Sequence, residues 1–136
     1  MNTRSEVVRF ADPDGDEIVV AVRRATAIDG VKRGSLKQRV MEKWSPILKA
    51  NEAMEFQEFL GLYPEWLIET TVYPGVIACT TEATGIPWPI SPGDFCQLPD
   101  DLVDRWTDAV YRLNPHWAPD YEERLPAQEK KSDGAS

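Results

Sequence analysis

Three aspartates in one short segment have the spacing of possible metal ligands. Asp12, Asp14 and Asp16 alternate like the first ligands of a calcium-binding loop. Such a loop needs glycine at its sixth position and glutamate at its twelfth. Counted from Asp12, Gly15 stands at the fourth position and Arg23 at the twelfth. The geometry of a calcium loop is therefore not met, and the segment is interpreted as a turn.

The remaining reactive side chains are one histidine, His116, and two cysteines, Cys79 and Cys96. They lack the paired spacing of zinc ligands, so we expect free thiols and a structural histidine. There is no glycine-rich phosphate loop, HExxH or GxSxG motif. Five glutamates between positions 52 and 69 have no base, metal ligand or nucleophile beside them, which favours a solvated helix face. We expect a protein that is not an enzyme and uses no metal or cofactor.

Length and composition indicate an ordinary globular domain. The chain has 136 residues, of which 42% are hydrophobic and 28% charged. No apolar run is long enough to span a membrane, and the N-terminus has no apolar leader segment. We therefore expect one soluble, intracellular domain.

Charge is distributed unevenly along the chain. Residues 1–50 carry a net +3 and residues 51–136 a net −11, which gives the overall −8. Between positions 50 and 104 there are ten carboxylates and no lysine or arginine, whereas positions 22–50 carry eight basic side chains: Arg23, Arg24, Lys32, Arg33, Lys37, Arg39, Lys43 and Lys49. Two interpretations stay open. The basic and acidic faces pack near one another, or one face binds a charged partner.

The first half of the chain predicts a hairpin and two helices. Residues 6–10 and 17–22 are rich in β-branched side chains and flank a turn, which is typical of a β-hairpin. Thr26 and Asp29 form a capping-box pattern that predicts a helix as far as about Trp44. The apolar positions of this helix, Val31 among them, fit one face only loosely. Ser45-Pro46 is expected to end it, with a second helix over 46–62.

The second half predicts further helices around a loop. A third helix opens at Pro64 and is interrupted at Pro74-Gly75, with 70–73 either helical or extended and 76–79 resuming the helix. Residues 85–99 hold four prolines and form a loop that either packs on the helices or meets a partner. From Pro99 to about Asn114 an apolar stripe predicts the clearest helix.

These elements predict a mainly α fold: a small helical domain with an N-terminal β-hairpin over residues 1–118, followed by a flexible tail over 119–136. Five tryptophans are many for this length, and each stands near the end of a predicted element. A core of large aromatic side chains and a set of interface anchors are the two interpretations.

The order of elements resembles tail assembly chaperones of long-tailed (siphovirus-type) bacteriophages. The resemblance lies in the hairpin leading into the segment RRATAIDG at 23–30, and in the C-terminal blocks LPDDLVDRW at 98–106 and AVYRLNPHW at 109–117. It implies a non-enzymatic protein that binds the tape-measure protein and helps to recruit tail-tube subunits. It also implies residence in the host cytoplasm, absence from the mature virion and, in many such proteins, a longer frameshifted form.

Lys130-Lys131 stands where such a ribosomal slip would occur, although a solubilising tail explains the pair equally well. For partner binding the sequence offers aromatic and basic candidates, with self-association a further option: Trp66, Trp88, Phe95, Trp106, Trp117, Arg23, Arg24 and Arg33.

Two other functions compete with the chaperone. A nucleic-acid-associated regulator would use the basic 23–49 helix to contact phosphates, but the overall −8 and the lack of a base-stacking or helix-turn-helix motif argue against it. A structural head–tail connector would also act by binding other proteins, but it would remain in the virion. No membrane partner is expected.

Overall fold

A computed structural model describes residues 5–120 of the chain. In order, its elements are β1 (Ser5–Ala11), β2 (Glu17–Arg23), α1 (Ala27–Ala50), α2 (Phe56–Leu62), α3 (Glu65–Thr71), α4 (Tyr73–Cys79), β3 (Thr80–Thr84), α5 (Pro92–Phe95) and α6 (Asp100–Leu113), with a 3-10 turn at Pro115–Trp117. The predicted fold class, mainly helical with an N-terminal hairpin, is confirmed. The predicted tail beyond residue 120 and the Lys130-Lys131 pair lie outside the described residues.

The hairpin belongs to a three-stranded antiparallel sheet of order β1-β2-β3. Val8 pairs with Val20 and Phe10 with Ile18, which places all four side chains on the buried face. That face packs against α6, whose apolar stripe is confirmed by the burial of Leu102, Trp106, Ala109, Val110 and Leu113. The hairpin is thus supported by a helix and by a third strand of the same chain.

The third strand has no counterpart in the sequence prediction. Thr80–Thr84 has no apolar alternation, and only its first residue is buried. It forms because its backbone pairs with β2, where Val20 lies opposite Ala83. A strand that depends on a distant partner rather than on its own pattern carries little local signal.

The helix boundaries around Pro46 correct the prediction. Helix α1 begins as expected, with Thr26 and Asp29 forming a reciprocal capping box, but it runs through Pro46 to Ala50. The predicted helix over 46–62 is therefore wrong, since α2 starts only at Phe56. Proline inside a helix costs about 3 kcal/mol. Burial of Trp44 before it and packing of Ile47 after it offset this cost.

Helix α4 lies at the centre of the core. All seven of its residues are buried, and it contacts α1, α3 and α6. Residues 70–73 are helical apart from a break at Val72, so the interruption falls two residues before the predicted one. Within the 85–99 loop, Ile90 and Phe95 are buried and α5 adds one helical turn, so the loop packs on the helices.

Candidate partner-binding groove

The junction between β2 and α1 is fixed by a bidentate ion pair. Arg23 donates from Nε and Nη2 to the two carboxylate oxygens of Asp29, both at 2.9 Å. Asp29 is fully buried and also accepts from the backbone N–H of Thr26 at 3.0 Å. The hydrogen bond from Arg23 is the main cause that lowers the pKa of Asp29 below its ordinary value. Arg23 is therefore chiefly a structural residue, although its side chain stays 39% exposed.

A buried asparagine ties this junction to the end of α6. Asn114 accepts from the backbone N–H of Ala25 at 2.7 Å and donates to the carbonyl of Arg23 at 3.2 Å. The same amide nitrogen lies 3.1 Å from the Val110 carbonyl and 3.4 Å from the Cys79 sulfur. One side chain thus joins β2, α4 and α6, and it holds the backbone of Ala25 just before α1.

Beside this junction lies an open groove of about 700 Å³, between the first half of α1 on one side and α4, β3 and Trp88 on the other. Ile77 and Ala78, both nearly completely buried, line it from α4. Leu36 and the half-buried Trp88 add further apolar surface. The groove therefore has apolar side chains on both of its walls, and basic and hydroxyl side chains line it beside them.

The α1 side of the groove carries exposed apolar and basic side chains. Ile28 is 67% exposed and Val31 74% exposed, the largest exposed fractions among the large hydrophobic residues described. Lys32 and Arg39 also line the groove, and neither forms an ion pair with a carboxylate of residues 5–119. Uncovered apolar residues beside such cations suit an amphipathic segment that carries carboxylates.

Two of the sequence candidates, Arg23 and Trp88, line this groove. Arg24 lies in a separate cavity with Glu6, Arg112 and His116. Arg33 lies against Trp117, with 4.5 Å between its guanidinium carbon and the ring centroid. The structure therefore divides the basic candidates among three places instead of gathering them into one patch.

The aromatic candidates serve mainly the core. Phe95 and Trp106 are fully buried and pack edge to face, with ring centroids 5.6 Å apart, so in this fold they offer no surface to a partner. Trp117 is 9% exposed. Trp66 is half-buried and its ring lies edge-on to Phe59. Among the aromatic candidates only Trp66 and Trp88 keep substantial exposed surface.

Sequence reasoning missed Ile28 and Val31 as functional candidates. The sequence pattern assigns Val31 to the apolar face of the first helix, yet the side chain projects away from the core. The available signal was the loose fit of the apolar positions to a single face. In a helix that buries only Asp29, Val40 and Trp44 completely, apolar residues off that face are free to meet another molecule.

The polar groups of the core are arranged for stability. Glu69 is buried and accepts from Lys43 at 2.7 Å and from the Trp44 indole at 2.9 Å.

Burial raises the pKa of Cys79 to about 12 and that of Cys96 to about 11, so both thiols are held protonated. Among residues 5–120 no cluster of histidine, cysteine and acidic side chains is suited to hold a metal ion.

No helix in the described part of the chain combines the length and the apolar character needed to cross a membrane. Comparison with protein-family models, with curated proteins and with solved structures found no match to this chain.

Proposed function

We propose that this chain is a tail assembly chaperone of long-tailed bacteriophages, which binds an amphipathic helix of the tape-measure protein and helps to recruit tail-tube subunits. It acts in the host cytoplasm without catalysing a reaction and is not retained in the virion. The observation that carries the proposal is the open groove with exposed Ile28 and Val31 on its α1 side. The similarity of residues 23–30, 98–106 and 109–117 to such chaperones supports it.

A tape-measure protein is a long helix whose apolar stripes lack a cover until the tube forms around them. A chaperone must shield those stripes reversibly and keep the complex soluble. An open groove receives one face of a helix, and the −8 net charge opposes aggregation. Lys32 and Arg39 favour helices that place carboxylates next to the apolar stripe.

Co-expression with the tape-measure protein of the same phage tests the proposal. The parent chain should co-purify with it and keep it soluble. Val31→Glu places a charge in the groove and should weaken binding at least about tenfold, because the carboxylate must be desolvated against apolar surface. Leu62→Glu is the matched control: Leu62 is 61% exposed on α2 and does not line the groove.

Equal loss of binding in the two variants would contradict the groove assignment, and failure of the parent chain to bind would contradict the chaperone. Mass spectrometry of purified virions separates the chaperone from a head–tail connector, since only a connector remains in the particle. A tube gene upstream and a tape-measure gene downstream would further support the proposal.

One observation favours the nucleic-acid alternative. Of the basic side chains on α1, only Lys43 forms an ion pair with a carboxylate of residues 5–119, so the others have no carboxylate partner within that range. Arg23 and Arg24, however, precede the helix, and Arg23 is already paired with Asp29. A gel shift at low salt decides: absence of a shifted band removes this alternative.

A further inference from the structure

A further cavity lies on another side of α1, between this helix, the α3–α4 junction and the 3-10 turn after α6. Its volume is about 350 Å³, within the range of ligand pockets. We name it the Arg33 cavity; the side chains that bear on its chemistry are Arg33, Lys37, Thr71, His116 and Trp117, with Gly75 between the helices. None of the residues that line it within the described range 5–120 is acidic.

The guanidinium of Arg33 is held in place by an aromatic ring. It lies over the Trp117 ring at 4.5 Å, a cation–π contact that uses one face of the group and does not occupy its N–H donors. No carboxylate of residues 5–119 forms an ion pair with Arg33. Gly75 brings the backbone of α4 close to this pair: a Cβ there would lie 3.4 Å from the Trp117 ring and 3.7 Å from Nε of Arg33, at ordinary contact distance.

The neighbouring polar groups complete the chemistry of the cavity. Lys37 follows Arg33 by one helical turn, so its ammonium lies on the same side of α1. Thr71 donates its hydroxyl proton to the Leu67 carbonyl at 2.6 Å and therefore presents lone pairs. Asp120 lies near enough to influence Tyr111, whose pKa is raised mainly by burial, but Asp120 does not line the cavity.

We propose that the Arg33 cavity binds an oxyanion, either a phosphate or a carboxylate group. Arg33 supplies a fixed fork of donors, and Lys37 and His116 supply further donors. The Thr71 oxygen accepts from a hydroxyl on the molecule that bears the anion. The cavity is larger than one phosphate, so the ligand extends beyond its charged group. This site does not depend on the proposed chaperone function.

The test is an NMR titration of the full-length, 15N-labelled chain with inorganic phosphate and, separately, with acetate, sodium chloride keeping the ionic strength constant. We expect saturable shifts of the Gly75 and Trp117 amides and of the Trp117 indole N–H. An affinity for phosphate at least about tenfold higher than that for acetate assigns the site to phosphate groups. Comparable affinities for the two anions assign it to carboxylates as well.

Arg33→Gln should weaken binding at least about tenfold, since a hydrogen bond to a charged group is lost. Arg39→Gln, the same substitution on the same helix but at the groove, should stay within about twofold of the parent. Lys37→Gln, at an exposed position of the same cavity, should weaken binding about threefold or more, because it removes a positive charge beside the anion.

Shifts that do not saturate in the parent chain, or that are equal in Arg33→Gln and Arg39→Gln, would overturn the proposal. A circular dichroism spectrum of each variant checks its fold. If Arg33→Gln proves unfolded, Lys37→Gln decides alone: unchanged affinity in that folded variant overturns the site.

Discussion

Replacing Asn114 by alanine should destabilise the protein strongly, because one side chain here connects three elements of the fold. The side chain is fully buried and its hydrogen bonds reach β2, α4 and α6. Asn114→Ala removes the acceptor of the Ala25 N–H and the donor to the Arg23 carbonyl. The Val110 carbonyl keeps its bond from the Asn114 backbone N–H at 2.8 Å, so no cost arises there.

An unsatisfied buried backbone group costs about 1–3 kcal/mol. Two such groups would give up to about 6 kcal/mol, but Arg23 and Ala25 are only half-buried, so water can reach part of the vacated site. We therefore expect a loss of about 2–4 kcal/mol in the free energy of unfolding. With a urea dependence of about 2 kcal/mol per molar, the unfolding midpoint should fall by about 1–2 M.

Urea unfolding followed by far-UV circular dichroism and by tryptophan fluorescence measures this loss. Asn51→Ala is the matched control, since its half-buried amide makes a single bond of 2.7 Å to the Ile47 carbonyl at the end of α1. That variant should lose about 1 kcal/mol or less. If Asn114→Ala loses no more than Asn51→Ala, the inference that Asn114 holds the groove junction together is refuted.

Two further predictions concern the first residue of the 85–99 loop and the thiols. Gly85 has φ +84° and a Cβ there would overlap the Glu17 carbonyl oxygen, so Gly85→Ala should cost about 2 kcal/mol or more in urea unfolding. Gly93→Ala, where a Cβ meets nothing within 4 Å, should change stability by less than about 0.5 kcal/mol, and equal losses would contradict the reasoning. With Ellman's reagent at pH 8, Cys96 should react slowly and Cys79 more slowly still, because burial raises their pKa values to about 11 and about 12. Because these pKa values exceed those of unfolded thiols, the free energy of unfolding should fall as the pH rises from about 9 towards 12. Thiol reaction rates in the native protein equal to those in urea would refute the inference that both cysteines are shielded.

The sequence specified those elements whose signal is local. The capping box of α1 requires only Thr26 and Asp29, and the apolar stripe of α6 repeats with the helical period. Both features were therefore predicted correctly. β3 and the continuation of α1 through Pro46 depend on partners far along the chain. Local patterns cannot reveal a strand created by pairing with β2, nor a helix kept intact by tertiary packing.

The candidate surfaces were harder to predict because they depend on which apolar residues the fold leaves uncovered. Tryptophan content identified the core well, since Trp44 and Trp106 are almost completely buried. It identified the partner surface poorly, because the largest exposed apolar fractions belong to the β-branched residues Ile28 and Val31. Exposure is a property of the assembled structure, and only the irregular apolar pattern of α1 hinted at it.

The basic cluster of the sequence is better understood as two surfaces on one helix. Val31 and Arg39 lie two turns apart and face the groove, whereas Arg33 and Lys37 line the other cavity. Two positions along an α-helix correspond to a rotation of about 200°, so the step from Val31 to Arg33 crosses to nearly the opposite side of α1. A helix amphipathic in the ordinary sense would keep its cations on one solvent face. Because α1 presents them on two, the proposed helical partner in the groove and the proposed oxyanion at Arg33 should bind without competing. If the proposed tape-measure partner binds in the groove, Arg33→Gln should leave that binding unchanged.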